Sequence, residues 1–127
     1  MANRSSDDPK WCETKKIVDK RDKRTCQFER CLSAKEFYQV VSGSPKTLDR
    51  AHILAASAHP EHLYNIKNVI TLRRFIHQRM DEFRSPLNGQ PIELNEHFWW
   101  WLRILQRKYI EYDVTKDYEL LLMQEIK

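Results

Sequence analysis

The chain has 127 residues, 41% hydrophobic and 31% charged, with 22 Lys and Arg against 18 Asp and Glu for a net charge of +4. That is the size of one domain, able to bury a core without disulfide staples, and the composition is that of an ordinary soluble protein. No apolar run approaches the length of a bilayer span, and residues 1–8 lack the apolar centre of a signal peptide, so a cytoplasmic protein with no membrane partner is expected.

Residues 1–6 read as a frayed terminus. Asp8 and Pro9 have the chemistry of an N-cap and a first helical residue, which predicts a helix through Trp11, Ile17 and Val18 toward Arg21. Lys15, Lys16, Lys20, Arg21, Lys23 and Arg24 make its far end basic, a surface that could lie along a phosphate backbone. Cys26 to Cys31 reads as a short extended or knuckle-like turn, and the SAKEFYQVV that follows fits a brief helix or a strand. Ser42, Gly43, Ser44 and Pro45 then break the chain.

From Thr47 the pattern is strand, loop, strand, helix. Thr47 to Leu54 mixes strand formers with polar residues, and Ser57 to Asn65 is polar enough for a loop. Asn68 to Leu72 is a short β-prone run, and from Arg73 the apolar residues Phe75, Ile76, Met80 and Phe83 recur at helical spacing. Within this unit stand His52, Asn68 and His77, separated by fifteen and then eight residues. A hairpin and a helix can clasp one small volume, with His52 reaching in from the first strand and His77 from the first turns of the helix.

Ser85 to Pro91 is a turn, because Asn88 and Gly89 suit positive φ and prolines bracket them. Asn95 is the expected N-cap of the next helix, EHFWWWLRILQRKYIEY, whose stripe of Phe98, Trp101, Leu102, Leu105 and Tyr109 is widened by Trp99, Trp100 and Ile104. A final helix with Tyr118, Leu121, Leu122 and Ile126 is expected to cover one side. Helical spacing turns successive tryptophans by about 100°, so the three cannot form one base-stacking platform and are read as core, with Trp100 beside Arg103 and Arg107 the exception. If the stripe stays open, a homodimer or a larger nuclease complex is the expected use of it.

The AHI at Ala51 to Ile53, the NVITL from Asn68, and Leu72 five residues ahead of His77 resemble the HNH endonucleases, whose core is the ββα-metal fold. The likeness covers Leu48 to Phe83 closely and the preceding basic segment loosely. It implies His52 as general base, Asn68 as a brace of the hairpin or a neighbour of the metal, and His77 as ligand of a divalent ion, Mg2+ or Mn2+. It also implies that the protein is a metal-dependent DNA endonuclease or nickase; the alternative is a non-catalytic nucleic-acid-binding module on the same fold. Chemistry supports the triplet independently. A neutral imidazole, with an unperturbed pKa of about 6.5, can take a proton from water, and a divalent cation can stabilise a departing oxygen.

Two departures from the family pattern shape the expected site. Many relatives carry an acidic residue or histidine immediately before the general base, and here that position is Ala51. Asp81, four residues after His77 on one helix face, is the first candidate for the missing ligand. Asp49 is the second, since strand alternation gives it opposite parity to His52 and a bulge or the strand's end would be needed to aim it inward. Cys26 and Cys31, with four residues between them, match half of a four-cysteine zinc knuckle. Arg73 and Ile76 stand where the other half belongs, so a structural zinc is not expected and reduced thiols are.

Basic residues accompany the motif. Residues 1–50 hold twelve Lys or Arg against eight Asp or Glu, residues 51–85 five against three, and residues 86–127 five against seven. DNA is the expected partner, met near the site by Arg50, Lys67, Arg73 and Arg74. The expected architecture is a single α+β domain over 1–127, with a ββα-metal core at about 44–84, flanking helices on both sides and a C-terminal helical extension over about 94–127.

Overall fold

The computed structural model describes residues 8–106. The readings of the first six residues and of the helix with Tyr118, Leu121, Leu122 and Ile126 fall outside these. The order is α1 (Pro9–Asp22), α2 (Ala34–Val40), β1 (Leu48–His52), β2 (Val69–Arg73), α3 (Arg74–Asp81) and α4 (Leu94–Gln106), with short 3-10 turns at Glu29–Cys31, Pro60–His62 and Ile66–Asn68. The architecture is α+β: N-terminal helices, a two-stranded antiparallel hairpin packed on the helix that follows it, then a C-terminal helix. No helix among the described residues is long and apolar enough to cross a membrane.

Asp8 caps α1 through a hydrogen bond from the Lys10 amide at 3.0 Å, with Pro9 at the first position. Trp11, Thr14, Val18 and Asp22, three or four residues apart, form its buried face. The helix ends where Lys23 and Arg24 adopt left-handed φ of 54° and 52°. The ambiguous SAKEFYQVV is a helix, because Ser33 and Glu36 make a capping box in which each side chain bonds the other's backbone amide, at 3.1 and 3.0 Å. That S-x-x-E signal lay in the sequence and resolves the choice.

Strands β1 and β2 pair from Leu48 opposite Arg73 to His52 opposite Val69. A lone two-stranded hairpin is marginal in water, so the outer edge of β2 needs partners. The end of α1 and the turn after it supply them. Thr71 N–H donates to Asp22 Oδ2 at 3.0 Å, Thr71 C=O accepts from Gln27 N–H at 2.9 Å, and Arg73 N–H donates to Cys26 Sγ at 3.2 Å. Arg21 adds bonds to the carbonyls of Ile66 and Val69. Residues 21–27 thus act as a surrogate third strand.

Arg73 leads directly into α3, which buries Ile76 and Met80 against the hairpin. The turn at Asn88 and Gly89 forms as expected: Gly89 has φ 75°, and a Cβ there would sit 3.3 Å from Arg79 Nε. Helix α4 starts at Leu94, one residue ahead of the Asn95 expected as its cap. Phe98, Trp101 and Ile104 enter the core with Phe28, Leu72 and Ile76. Of the three tryptophans, Trp101 is buried, Trp100 is half-buried under the Arg103 guanidinium at 5.1 Å, and Trp99 is 60% exposed. Trp101→Ala is expected to cost about 3–5 kcal/mol in chemical denaturation, the usual range for a buried large aromatic. A stable Trp101→Ala protein that has lost only DNA binding would instead make the ring a contact.

Candidate functional site at the hairpin and α3

Asn68 is fully buried at the end of the loop joining the strands. Its Oδ1 accepts from Leu54 N–H at 2.8 Å, while Nδ2 donates to the carbonyls of Leu54 at 3.1 Å and His62 at 3.3 Å. One amide therefore ties the start of the loop to its middle, which is the bracing position expected for it. The loop carries His59, Glu61 and His62, and its Leu63 carbonyl accepts from His52 Nε2 at 2.8 Å. His52 also stacks on Trp11 of α1, with ring centroids 5.2 Å apart.

Strand alternation divides the expected triplet. Arg50 and His52 face α1, where Arg50 forms a two-point ion pair with Asp19 at 2.7 Å for each contact. Asp49 and Ala51 face α3, and there Asp49 Oδ2 meets His77 Nδ1 at 2.9 Å. No bulge is needed for this, since the pairing of β1 runs regularly through Asp49 and Leu72. The other nitrogen, His77 Nε2, lies 3.2 Å from Asp81 Oδ2. His77 is thus bracketed by both candidate carboxylates, one on each ring nitrogen, and the three do not converge on a point. Among the described residues, no cluster of three His, Cys, Asp or Glu side chains is arranged to hold an ion.

Charge explains the bracket. Burial opposes protonation of His77, but hydrogen bonds to Asp81 and Asp49 outweigh it and raise the pKa above the ordinary 6.5. For Asp49, burial likewise opposes the charge, and the bonds from Arg74 and His77 outweigh it and lower the pKa below 3.8. A raised histidine pKa stabilises the fold fully below the unfolded value of 6.5 and loses that contribution as pH rises through the folded value. A lowered aspartate pKa stabilises above 3.8 and is lost as pH falls through the folded value. The stability difference between wild type and His77→Ala should therefore be largest near a pH of about 5 and shrink above about 6.5. Thermal unfolding of both proteins across that range checks it, and a difference that grows on the alkaline side would reverse the sign.

The cations expected to meet DNA are mostly engaged within the protein. Arg73 is 8% exposed and bonds Glu29 Oε2 at 2.6 Å and the Pro45 carbonyl at 3.0 Å, so its guanidinium is held inside the fold and not on the surface where a DNA contact was expected. Arg50 is held by Asp19, and Arg74 bonds Asp49 at 3.0 Å. Lys67 is exposed on the last 3-10 turn. Exposed cations gather instead on α1 and the turn after it, at Lys16, Lys20, Lys23 and Arg24.

The cysteines bear on zinc through their surroundings. Burial pushes the Cys26 thiol up to about 11, and the Arg73 amide bonds its sulfur. Zinc takes the thiolate, so this environment opposes it. Ile76, at the place of a missing ligand, is buried core.

One feature of the site escaped sequence reasoning. A cleft of about 130 Å3 opens between the end of β1, the end of α3 and the start of α4, and both His52 and Asp81 line it. His97 forms part of its wall, with Nε2 donating to the Met80 carbonyl at 2.9 Å and its ring stacked on Phe83 at 3.9 Å. Phe83 holds φ 55°, a left-handed conformation that costs a residue with a Cβ about 1–2 kcal/mol. No periodicity marks His97, and Phe83 takes its positive φ where the chain leaves α3, with Arg84 N–H donating to the Arg79 carbonyl at 2.8 Å.

Compared with known proteins, the chain matches no family model, no curated protein and no solved structure.

Proposed function

We propose that the chain is a DNA endonuclease or nickase of the HNH type, in which His52 is the general base and Mg2+ or Mn2+ the ion required. One observation carries this reading: the buried Asn68 amide staples the loop between two strands, and that loop's Leu63 carbonyl orients His52, in the strand-loop-strand-helix order that the sequence resemblance implies. A carbonyl can only accept, so in the neutral ring the proton sits on Nε2 and the lone pair on Nδ1. Nδ1 is then the atom that takes the water's proton.

The donor set suits a hard cation held by few protein ligands. Mg2+ is bound through one or two carboxylates, with water and phosphate oxygens completing its sphere, and does not need a closed protein cage. Asp81 and His77 Nε2 are the residues that would hold it, because Asp49 is already engaged by Arg74 and by Nδ1. When bound, the ion polarises the phosphate and stabilises the leaving oxygen. His77 must be neutral to ligate, so metal and proton compete for it, and its raised pKa favours the proton in that competition. The metal concentration needed for half-maximal cleavage is therefore expected to rise as pH falls below neutrality. Asp81→Asn is expected to raise it further than Asp49→Asn does, measured by titrating Mg2+ into a plasmid-cleavage assay; the reverse order would move the ion to the strand.

A second reading, a nucleic-acid-binding module without catalysis, is favoured by His77 having a carboxylate on each nitrogen and by the donorless Ala51. Supercoiled plasmid incubated with Mg2+, with Mn2+ and with EDTA separates the two. Nicking or linearisation only with metal supports the nuclease. Retarded but intact plasmid under all conditions supports the module, and plasmid neither cut nor retarded overturns both.

A further inference from the structure

We infer that the cleft beside His52 and Asp81 seats one unstacked pyrimidine base of a DNA strand, an inference that rests on the DNA-binding part of the reading above. Its size sets the first limit. An apolar cavity of about 150 Å3 accommodates a single benzene ring, whereas pockets for drug-sized ligands run to about 300–1,000 Å3. At about 130 Å3 the cleft matches one six-membered ring and is short of the two fused rings of a purine.

Its lining sets the second. Phe98 and Trp101 are buried in its floor, and Phe83 and Leu94, 40% and 51% exposed, stand at its rim. Aromatic and aliphatic faces of this kind receive the flat face of a base, and aromatic stacking tolerates any base that fits. His52, Asp81 and His97 line the same cleft, so one side of it is polar in composition. A paired and stacked base cannot enter, so the strand must be single or locally opened.

Phe83 points the same way. It follows the last residues of α3, and the turn that ends the helix sets its ring into the lining of the cleft, stacked on His97 at 3.9 Å. The ring forms the wall that a base would lie against, beside the histidine assigned as base and the carboxylate assigned to the metal.

The test uses the full chain in EDTA, so that chemistry does not intervene, and reads fluorescence anisotropy of labelled oligo(dT), oligo(dA) and duplex DNA. Oligo(dT) is expected to bind about ten-fold more tightly than oligo(dA). Phe83→Gly, which removes the wall and suits the left-handed φ, and Ala55→Phe, which fills the cleft from its rim, are each expected to lower oligo(dT) affinity about ten-fold. Neither should lower the unfolding temperature, and oligo(dA) binding should hold. Equal wild-type affinity for the two oligonucleotides, or unchanged oligo(dT) affinity in both variants, overturns the pyrimidine seat and leaves the nuclease reading standing. A retained oligo(dT) preference in a protein that cuts no plasmid supports the seat and overturns the nuclease instead. Absence of binding to any of the three DNAs in EDTA overturns the seat, and cleavage of plasmid with Mg2+ then decides the nuclease separately.

Discussion

His52→Ala is expected to lower single-turnover cleavage by about 10²–10⁴-fold, the contribution typical of a positioned general base. The geometry makes this separable from folding. The Asn68 bonds to Leu54 and His62 do not involve the imidazole, so the loop keeps its brace when the ring is removed. The variant's structural losses include the stack on Trp11 and a bond to the Leu63 carbonyl, the latter worth about 1 kcal/mol net. Added imidazole should restore part of the rate, because a small base can occupy the vacated space, and a purely structural histidine would not be rescued in this way. Wild-type turnover in a folded His52→Ala protein would remove His52 from the chemistry.

Asp22→Ala is expected to cost about 3–5 kcal/mol, the usual penalty for leaving one partner of a buried ion pair uncompensated. The side chain of Asp22 is fully buried, and that of Arg21, which meets it at 2.7 Å, is only 8% exposed. The same carboxylate also accepts the Thr71 amide at 3.0 Å on the outer edge of β2. Alanine would take the counter-charge from a guanidinium that keeps the Ile66 and Val69 carbonyls, and the acceptor from the Thr71 amide, at once. Urea denaturation measures the loss, and Asp22→Asn, which keeps an acceptor but not the charge, should fall between the two. A wild-type midpoint for Asp22→Ala would mean that the end of α1 is not what completes the sheet.

These two residues stand at opposite ends of what the sequence allowed to be seen. His52 was legible because it sits in a local pattern: a β-prone run, a polar loop and a second run beginning at Asn68. The Asn68 brace follows from the same pattern, and α1 was announced by Asp8 and Pro9. Asp22 carried no such mark. It reads as one more charge in a basic stretch, and its value comes from Thr71, 49 residues away.

The same division explains the cations. Arg73, Arg74 and Arg50 flank the motif and read as DNA contacts by position. Their partners Glu29, Asp49 and Asp19 are 44, 25 and 31 residues away in the chain, and only folding brings them together. Parity misled in a related way. It correctly put Asp49 and His52 on opposite faces of β1, yet Asp49 needs no bulge, because His77 comes to its face of the strand.

By itself, then, the sequence determined the elements and their order, since helices, strands and turns are set by neighbours within a few residues and leave a period in the chain. Tertiary structure alone decided which charges neutralise one another, that His77 has a carboxylate at each nitrogen, and that Phe83 and His97 wall a cleft beside His52. Those relations depend on contacts between residues far apart in the chain, where electrostatics and packing act through space and leave no periodic trace.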